Sequence, residues 1–273
     1  MTFRWAALAA ILILPGAAIA QSQPELTTHE ILQKTEQTTQ EGFQHALEFD
    51  YCVTALRNDQ TKTYAAYMLF GSPYEQLVAV DGTPIPADQM VALASAREFE
   101  ANRRRLETVE QREKRMAEYA AEQHRNRTLL KEMTRAFAFF LRGRTAKDGF
   151  DTYVMDVSPR AGYVPKDRMT RVLTGMQGTL WVDQRSFGWV RAEATVVHAV
   201  MIEGILARVE KGTRFAMEER PFGNGYWLPT FFSIHTQARI LFLFPTSSTE
   251  SYTFFHYVPA GSLSPEMCLS RTP

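Results

Sequence analysis

The feature that most constrains the fold is a run of short candidate strands between residues 149 and 258. The segments there are rich in β-branched and aromatic residues, and turn signals such as Ser158-Pro159 and Phe222-Gly-Asn-Gly225 separate them at roughly ten-residue spacing. In one of these segments, Arg191 and Glu193 alternate with apolar neighbours. This alternation predicts an antiparallel sheet with one apolar and one solvated face.

Two further segments extend this pattern. Residues 44–80 also alternate and predict strands, whereas residues 87–141 contain no Gly or Pro and are dense in Ala, Arg, Glu, Leu and Met, which predicts helix. Apolar positions are sparse over 94–105 and dense over 129–141. We therefore expect the second part of the helical stretch to dock on an apolar surface, while the first part projects or breaks; the order of residues 97–118 stays open.

The charge pattern argues against nucleic acid as a partner. Lys and Arg total 30 and Asp and Glu total 30, so no net basic field exists to attract a polyanion. The run Arg103-Arg104-Arg105 is interleaved with Glu100 and Glu107. Such mixing is typical of a solvated helix face with ion pairs along it.

Motifs for catalysis or metal binding are missing from the sequence. Ser186 and Ser233 lack the Gly-x-Ser-x-Gly turn of a hydrolase nucleophile, and no HxxxH or HxH spacing occurs. His198, His235 and His256 fall on predicted strands, where polar strand positions account for them. We expect no metal, no cofactor and no enzymatic activity; an enzyme remains as a third hypothesis.

The first twenty residues predict a secretory signal peptide. Arg4 precedes the apolar run Trp5–Leu14, and the small-x-small pattern that follows places cleavage between Ala20 and Gln21. The alternative is a membrane anchor, although a Pro-Gly pair interrupts the apolar run. We expect the mature protein to be periplasmic.

Export changes the interpretation of the two cysteines. In an oxidising compartment a pair of thiols is usually oxidised, so Cys52 and Cys268 are expected to form a disulfide that joins an early strand to the C-terminal segment. The alternative is two unrelated buried thiols.

Several motifs resemble those of a known superfamily. They are Gly162-Tyr163-Val-Pro165-Lys-Asp-Arg168, Gly175-Met-Gln-Gly178-Thr-Leu-Trp181-Val-Asp183, Trp189-Val-Arg191-Ala-Glu193 and Gly225-Tyr-Trp227-Leu-Pro229. Together they resemble bacterial outer-membrane lipoprotein-sorting proteins of the LolA/LolB-like superfamily. The resemblance implies an α+β fold over residues 21–273, in which a strongly curved antiparallel sheet or unclosed β-barrel has its concave face covered by helices. The helical insertion of about 87–141 is longer than a typical lid of that superfamily.

The resemblance also implies a function. An apolar cavity between sheet and helical lid would hold the acyl chains of a lipid or of an acylated lipoprotein, with only peripheral or transient membrane contact. The alternative is an envelope interaction or sensor module, whose hollow is filled by its own side chains and whose long charged helix contacts a protein partner. The candidate lining residues are Tyr67, Leu69, Phe137, Phe140, Trp181, Val190, Leu206, Phe215, Trp227, Phe231 and Phe242.

Overall fold

A computed structural model describes residues 26–167, 170–202, 207–240 and 244–270, without the side chains of 122–131. The predicted signal peptide and its cleavage site lie outside the described residues. The helices are α1 (Thr28–His45), α2 (Ala87–Arg105) and α3 (Val109–Ala136). The strands are β1 (Phe49–Arg57), β2 (Gln60–Leu69), β3 (Ser72–Val80), β4 (Thr83–Pro84), β5 (Phe137–Lys147), β6 (Phe150–Pro159), β7 (Met176–Asp183), β8 (Trp189–Val196), β9 (Val200–Met201), β10 (Ala207–Val209), β11 (Arg214–Phe222), β12 (Tyr226–Ile240) and β13 (Phe244–Pro259).

All thirteen strands form one antiparallel sheet. The main order is β4-β3-β2-β1-β13-β12-β11-β8-β7-β6-β5, while β9 and β10 branch from it through the pairing of β10 with β12. Within the described part of the chain no pairing joins the end strands β4 and β5, so the sheet is not closed. The predicted α+β class with an unclosed antiparallel sheet is therefore confirmed.

The sheet curls around α1. Thr39 and Phe43 of α1 line one hollow that includes Phe139 of β5 and a second hollow that includes Met68 of β2. In a flat sheet β5 and β2 would lie eight strand spacings, about 38 Å, apart. One helix can adjoin hollows that reach both strands only because the sheet curves, and we call the face that carries α1 the inner face.

Apolar residues of α1 anchor it on this face. Thr27 caps the helix and exchanges hydrogen bonds with Glu30, which satisfies two amide groups of the first turn. Ile31 is fully buried in a cluster with Met155 of β6 and Leu180 of β7. A helix start is therefore fixed over the part of the sheet formed by β6 to β8.

The outer face has its own core, which contains the disulfide. Cys52 of β1 is bonded to Cys268, and both are buried beside Val78 of β3 and Leu263. Met90 of α2 packs against the same cluster. The expected disulfide is confirmed, and together with α2 it covers the outer face of the β1–β3 region.

The predicted helix over 87–141 is two helices followed by a strand. The break falls after Arg105, and Thr108 starts α3 with a capping box to Gln111. The helix ends at Ala136 because the aromatic run from Phe137 to Leu141 pairs with β6 and joins the sheet core. The dense apolar stretch indeed docks, but its last five residues do so as a strand.

Helix α3 connects the region of the β2–β3 turn with β5, the strand at the far edge of the sheet. It begins against the turn between β2 and β3, where Arg115 donates hydrogen bonds to Phe70 O and Ser72 Oγ. Its 28 residues, about 42 Å of helix, then run directly into β5 at the opposite edge. Among the described residues no helix is long and apolar enough to span a membrane.

A buried arginine fastens α2 to the same turn. The guanidinium of Arg104 donates to Leu69 O at 2.9 Å and to Ser72 O at 2.9 Å, and it pairs with Glu100 at 2.6 Å. Hydrogen bonds from Arg103, and then from Arg104, lower the pKa of Glu100 to about 2. The pairing is therefore intact at neutral pH, and part of the predicted charged surface serves as an internal anchor.

We expect Arg104→Ala to lower the free energy of unfolding by about 2–4 kcal/mol, since it leaves buried carbonyls and a partly buried carboxylate without their donor. Arg103 pairs with the same Glu100, but its side chain is half exposed. Arg103→Ala should therefore change stability by less than about 1 kcal/mol. Urea unfolding of the two variants measures this difference, and equal losses would contradict the anchoring role.

Candidate functional site

A hollow of about 320 Å³ lies between α1, α3 and the inner face of the sheet. Its wall is mainly aromatic and apolar, and the lining residues are Thr39, Gly42, Phe43, Ala46, Tyr51, Met68, Pro73, Glu75, Tyr119, Glu219, Trp227, Leu228, Pro229, Phe254 and Tyr257. Its volume falls at the lower end of the range of about 300–1,000 Å³ that is usual for small-molecule sites. We call it the inner hollow.

The inner hollow adjoins a wider trough of about 750 Å³ on the same face of the sheet. Glu75 and Phe254 line both spaces, so the inner hollow and the trough lie side by side along β1, β2 and β13. Among the described lining residues of these two spaces, the basic ones, Arg57 and Lys62, lie in the trough. The described lining of the inner hollow is therefore aromatic, with acidic but no basic side chains, whereas the lining of the trough includes basic side chains.

A third space, of about 200 Å³, lies on the other side of α1. It shares Thr39 and Phe43 with the inner hollow and reaches Trp189 of β8 and Phe139 of β5. Helix α1 therefore divides the space enclosed by the curved sheet.

Aromatic rings in tilted and edge-to-face contact stiffen the wall of the inner hollow. The ring of Tyr257 lies 5.3 Å from that of Tyr51 and 4.6 Å from that of Phe222, and Tyr51 lies 5.8 Å from Phe254. The hydroxyl of Tyr257 donates to Pro229 O at 2.7 Å. Burial raises the pKa of Tyr257 well above its ordinary value, so this hydroxyl stays protonated across the physiological range.

An acidic side chain lies in this apolar wall. Glu219 is only 6% exposed, and one of its carboxyl oxygens, Oε2, has no hydrogen-bond partner in the described part of the chain. Burial raises the pKa of Glu219 to about 8, against a lowering effect of the hydrogen bond from the backbone N–H of Trp189. At neutral pH the carboxyl group is therefore mainly protonated and can donate a hydrogen bond.

Two glycines permit the close packing around Trp227. A Cβ atom on Gly42 would lie 2.2 Å from Trp227 O, so a side chain there would force α1 away from β12. A Cβ atom on Gly188 would lie 1.9 Å from the Trp227 ring. Both positions therefore help to fix Trp227 in the wall of the inner hollow.

The structure distributes the predicted lining residues over several environments. Trp227 lines the inner hollow, whereas Tyr67 and Leu69 belong to the outer-face cluster. Phe137 belongs to a core cluster against which Phe215 packs, and Val190 is fully buried. Phe231 is half-buried, the ring of Trp181 contacts the ammonium group of Lys147, and Phe140 is 61% exposed. Leu206 and Phe242 lie outside the described residues.

Sequence reasoning missed Glu219 because its charged neighbours hide its place in the strand pattern. Glu218, Glu219 and Arg220 resemble a solvated stretch of strand in the sequence, yet Glu219 shares the inner face with Met217 by ordinary alternation along β11. The β11–β12 register shifts between Glu218 and Glu219, but the additional residue, Thr230, lies in β12 and does not change the face of Glu219. Glu218 pairs with Arg191, while Glu219 is buried in the wall of the hollow. Tyr51 and Phe254, also missed, lie in alternating segments whose facing the sequence leaves open.

Polar residues considered for chemistry have structural partners. His235 Nδ1 contacts Thr249 Oγ1 at 2.8 Å, and His256 Nε2 contacts Ser270 O at 2.9 Å. Asp183 accepts hydrogen bonds from the backbone N–H groups of Arg185 and Ser186, as a turn residue does. In the part of the chain that the structure describes, no group of three His, Cys, Asp or Glu side chains could hold a metal ion.

No protein-family model matches the chain, and no curated protein matches it. Solved structures do. One is a LolA superfamily protein from Nitrosomonas europaea, at 12% identity and a TM-score of 0.33 over 89% of this chain and 97% of that chain. Another is a DUF1329 family protein from Desulfovibrio piger, at 8% identity and 0.28 over 86% and 96%.

A third is an outer membrane lipoprotein-sorting protein domain from Vibrio parahaemolyticus, at 10% identity and a TM-score of 0.29 over 85% of this chain and 94% of that chain.

Proposed function

We propose that this protein is an exported, non-catalytic lipid- or lipoprotein-binding protein of the bacterial cell envelope, acting in the periplasm. Acyl chains would occupy the inner hollow and extend into the trough. The buried disulfide supports export, because such bonds persist in oxidising compartments. Its partner would be a lipid or an acylated lipoprotein, met during transient membrane contact.

The observation that carries this proposal is the aromatic lining of the inner hollow. Tyr51, Phe254 and Tyr257 form an apolar wall of tilted and edge-to-face rings, and Phe43 of α1 lines the same hollow. Among the side chains that the structure describes, the lining of the inner hollow includes no Lys, Arg or His. Each CH₂ group buried there contributes about 0.8 kcal/mol, so a chain segment of six to eight carbons would supply about 5–6 kcal/mol. Binding therefore requires no ionic contact inside the hollow.

A second candidate function is the envelope interaction or sensor module. Helix α1 lies between two of the hollows inside the curved sheet, and the bend between α2 and α3 exposes large apolar side chains. Leu106 is 81% exposed and Val109 is 69% exposed. Neighbouring apolar side chains of this kind are typical of a surface that a protein partner covers.

The test is binding of 1-palmitoyl-lysophosphatidylcholine, followed by native mass spectrometry and by titration. We expect the mature protein to bind one molecule, and Phe254→Glu to weaken binding at least tenfold, because Phe254 lines both the inner hollow and the trough. Phe99→Glu makes the same chemical change on α2 and should leave the affinity unchanged. No uptake by the delipidated wild type would contradict the proposal and favour the interaction module.

A further inference from the structure

Two polar groups in the wall of the inner hollow have no hydrogen-bond partner in the described part of the chain. They are the Oε2 atom of Glu219 and the indole Nε1 of Trp227. Both side chains are more than nine-tenths buried, with exposures of 6% and 3%. Leaving buried polar atoms unpaired is costly, so their presence in one cavity wall calls for an explanation.

The strand register places these two side chains together. Glu219 of β11 is paired with Pro229 of β12, and Pro221 is paired with Trp227. Glu219 and Trp227 are therefore diagonal neighbours on one face of the sheet, with Cβ atoms about 7–8 Å apart or somewhat less. Both also meet the same turn, since Gly188 adjoins the Trp227 ring and the backbone N–H of Trp189 binds the Glu219 carboxyl group.

The two groups have the same hydrogen-bonding requirement. An indole N–H can only donate, and a protonated carboxyl group donates through its O–H. The described charged and titratable groups that line the same hollow are Glu75 of β3, Tyr51 of β1, Tyr119 of α3 and Tyr257 of β13, and among these described side chains there is no cation to hold Glu219 ionised. Burial keeps the pKa of Glu219 at about 8, so both groups are donors at neutral pH.

We propose that Glu219 and Trp227 together bind one acceptor oxygen of the ligand, the carbonyl oxygen of an ester- or amide-linked acyl chain. A carbonyl oxygen has two lone pairs and can accept from both donors at once. A wholly hydrocarbon segment would leave both unpaired. This inference rests on the proposed function and names the polar group that positions the acyl chain in the inner hollow.

A matched pair of lysolipids tests the contact on the mature protein. The probes are 1-palmitoyl-lysophosphatidylcholine, which has an ester carbonyl, and 1-O-hexadecyl-lysophosphatidylcholine, which has an ether in its place. At pH 6.5 we expect the wild type to bind the ester about tenfold more tightly than the ether, the effect of one well-formed buried hydrogen-bonding contact. Because each ratio is measured within one variant, a general change in stability cancels.

Variants identify the donors. Trp227→Phe and Glu219→Leu should each reduce the ester-to-ether ratio to within threefold of one, whereas Glu219→Gln, which keeps an N–H donor, should retain most of it. Gln76→Leu is the control, because Gln76 is also fully buried and its amide atoms have no hydrogen-bond partner in the described part of the chain. Gln76 lies on β3 two residues before Val78, which belongs to the outer-face cluster, so its side chain is directed away from the inner hollow. That variant should keep the wild-type ratio.

The pH dependence separates this inference from other accounts. The ester preference should fall between pH 7 and pH 9 as Glu219 loses its proton, and it should stay flat in Glu219→Gln. Equal wild-type affinities for ester and ether would overturn the carbonyl contact and leave the lipid-binding function standing. Binding of neither probe would overturn both, and an ester preference that rises with pH would overturn the assignment of a protonated Glu219 as the donor.

Discussion

Replacing both cysteines by alanine should lower the free energy of unfolding by about 3–5 kcal/mol, one of the two largest effects that we expect. The Cys52–Cys268 bond closes a loop of 216 residues, for which the chain-entropy model gives about 5 kcal/mol as an upper figure. Both sulfurs lie in the buried outer-face cluster, where alanine also loses some packing. Denaturant unfolding of the double variant against the oxidised wild type measures the loss.

The position of the bond predicts where the double variant changes first. The C-terminal segment around Leu263 and Met267 packs on the outer face beside the disulfide, whereas the inner hollow lies on the opposite face. Amide hydrogen exchange should therefore accelerate over residues 263–270 while α1 keeps its protection. A variant as stable as the wild type, or one that first loses protection in α1, would contradict this account.

The second large effect concerns pH. Glu219 has a pKa of about 8 in the folded protein, against 4.5 for an ordinary glutamate. Between these values the folded state holds a proton that the unfolded state has lost, so stability must fall as pH rises through this window. The free energy of unfolding should fall by on the order of 5 kcal/mol in total as the pH rises from below 4.5 to above 8.

Glu219→Gln should remove this component because a glutamine does not titrate. Urea unfolding at pH 5 and pH 8.5 is the measurement, and the variant should lose several kcal/mol less than the wild type across that interval. Glu218→Gln is the matched control. The neighbouring Glu218 pairs with Arg191, is not among the lining residues of the hollow, and is more exposed than Glu219. If wild type and Glu219→Gln have parallel profiles, Glu219 is ionised in the folded state and our description of the hollow is wrong.

The sheet could be predicted from the sequence because alternation and turn residues specify it locally. Turn signals such as Phe222-Gly-Asn-Gly225 separate the strands at the expected place between β11 and β12. The Cys52–Cys268 bond was predicted from the expected export and from the number of cysteines. The strands and turns that short stretches of sequence predict are therefore found in the structure.

The site was less predictable because its geometry depends on irregularities that a regular pattern does not reveal. The bulge opposite Glu219 puts an additional residue, Thr230, into β12 and so changes the face on which Trp227 lies. Tyr67 and Leu69 were predicted to line the cavity, yet β2 turns them to the outer face and places Met68 at the hollow. A shift of one residue in a strand exchanges the two faces, and composition cannot decide between them.

The end of the helical stretch illustrates the same point. Residues 129–141 satisfy a helical pattern, but Phe137 and the residues after it gain more by pairing with β6 at the edge of the sheet. Propensity is a weak preference that such tertiary pairing overrides. The capping box between Thr108 and Gln111, which starts α3, lies inside the stretch that the sequence predicts as one helix, so the structure reveals a break there.

The central claim is that an acyl chain occupies the space between α1 and the inner face of the sheet. The most direct measurement is photo-crosslinking of the mature protein with a lysolipid whose palmitoyl chain carries a diazirine, followed by peptide mapping. We predict labels on α1 near Phe43 and on β13 near Phe254, reduced by excess unlabelled lysolipid. Labels confined to α2 and residues 263–270, or no competable label, would contradict the claim.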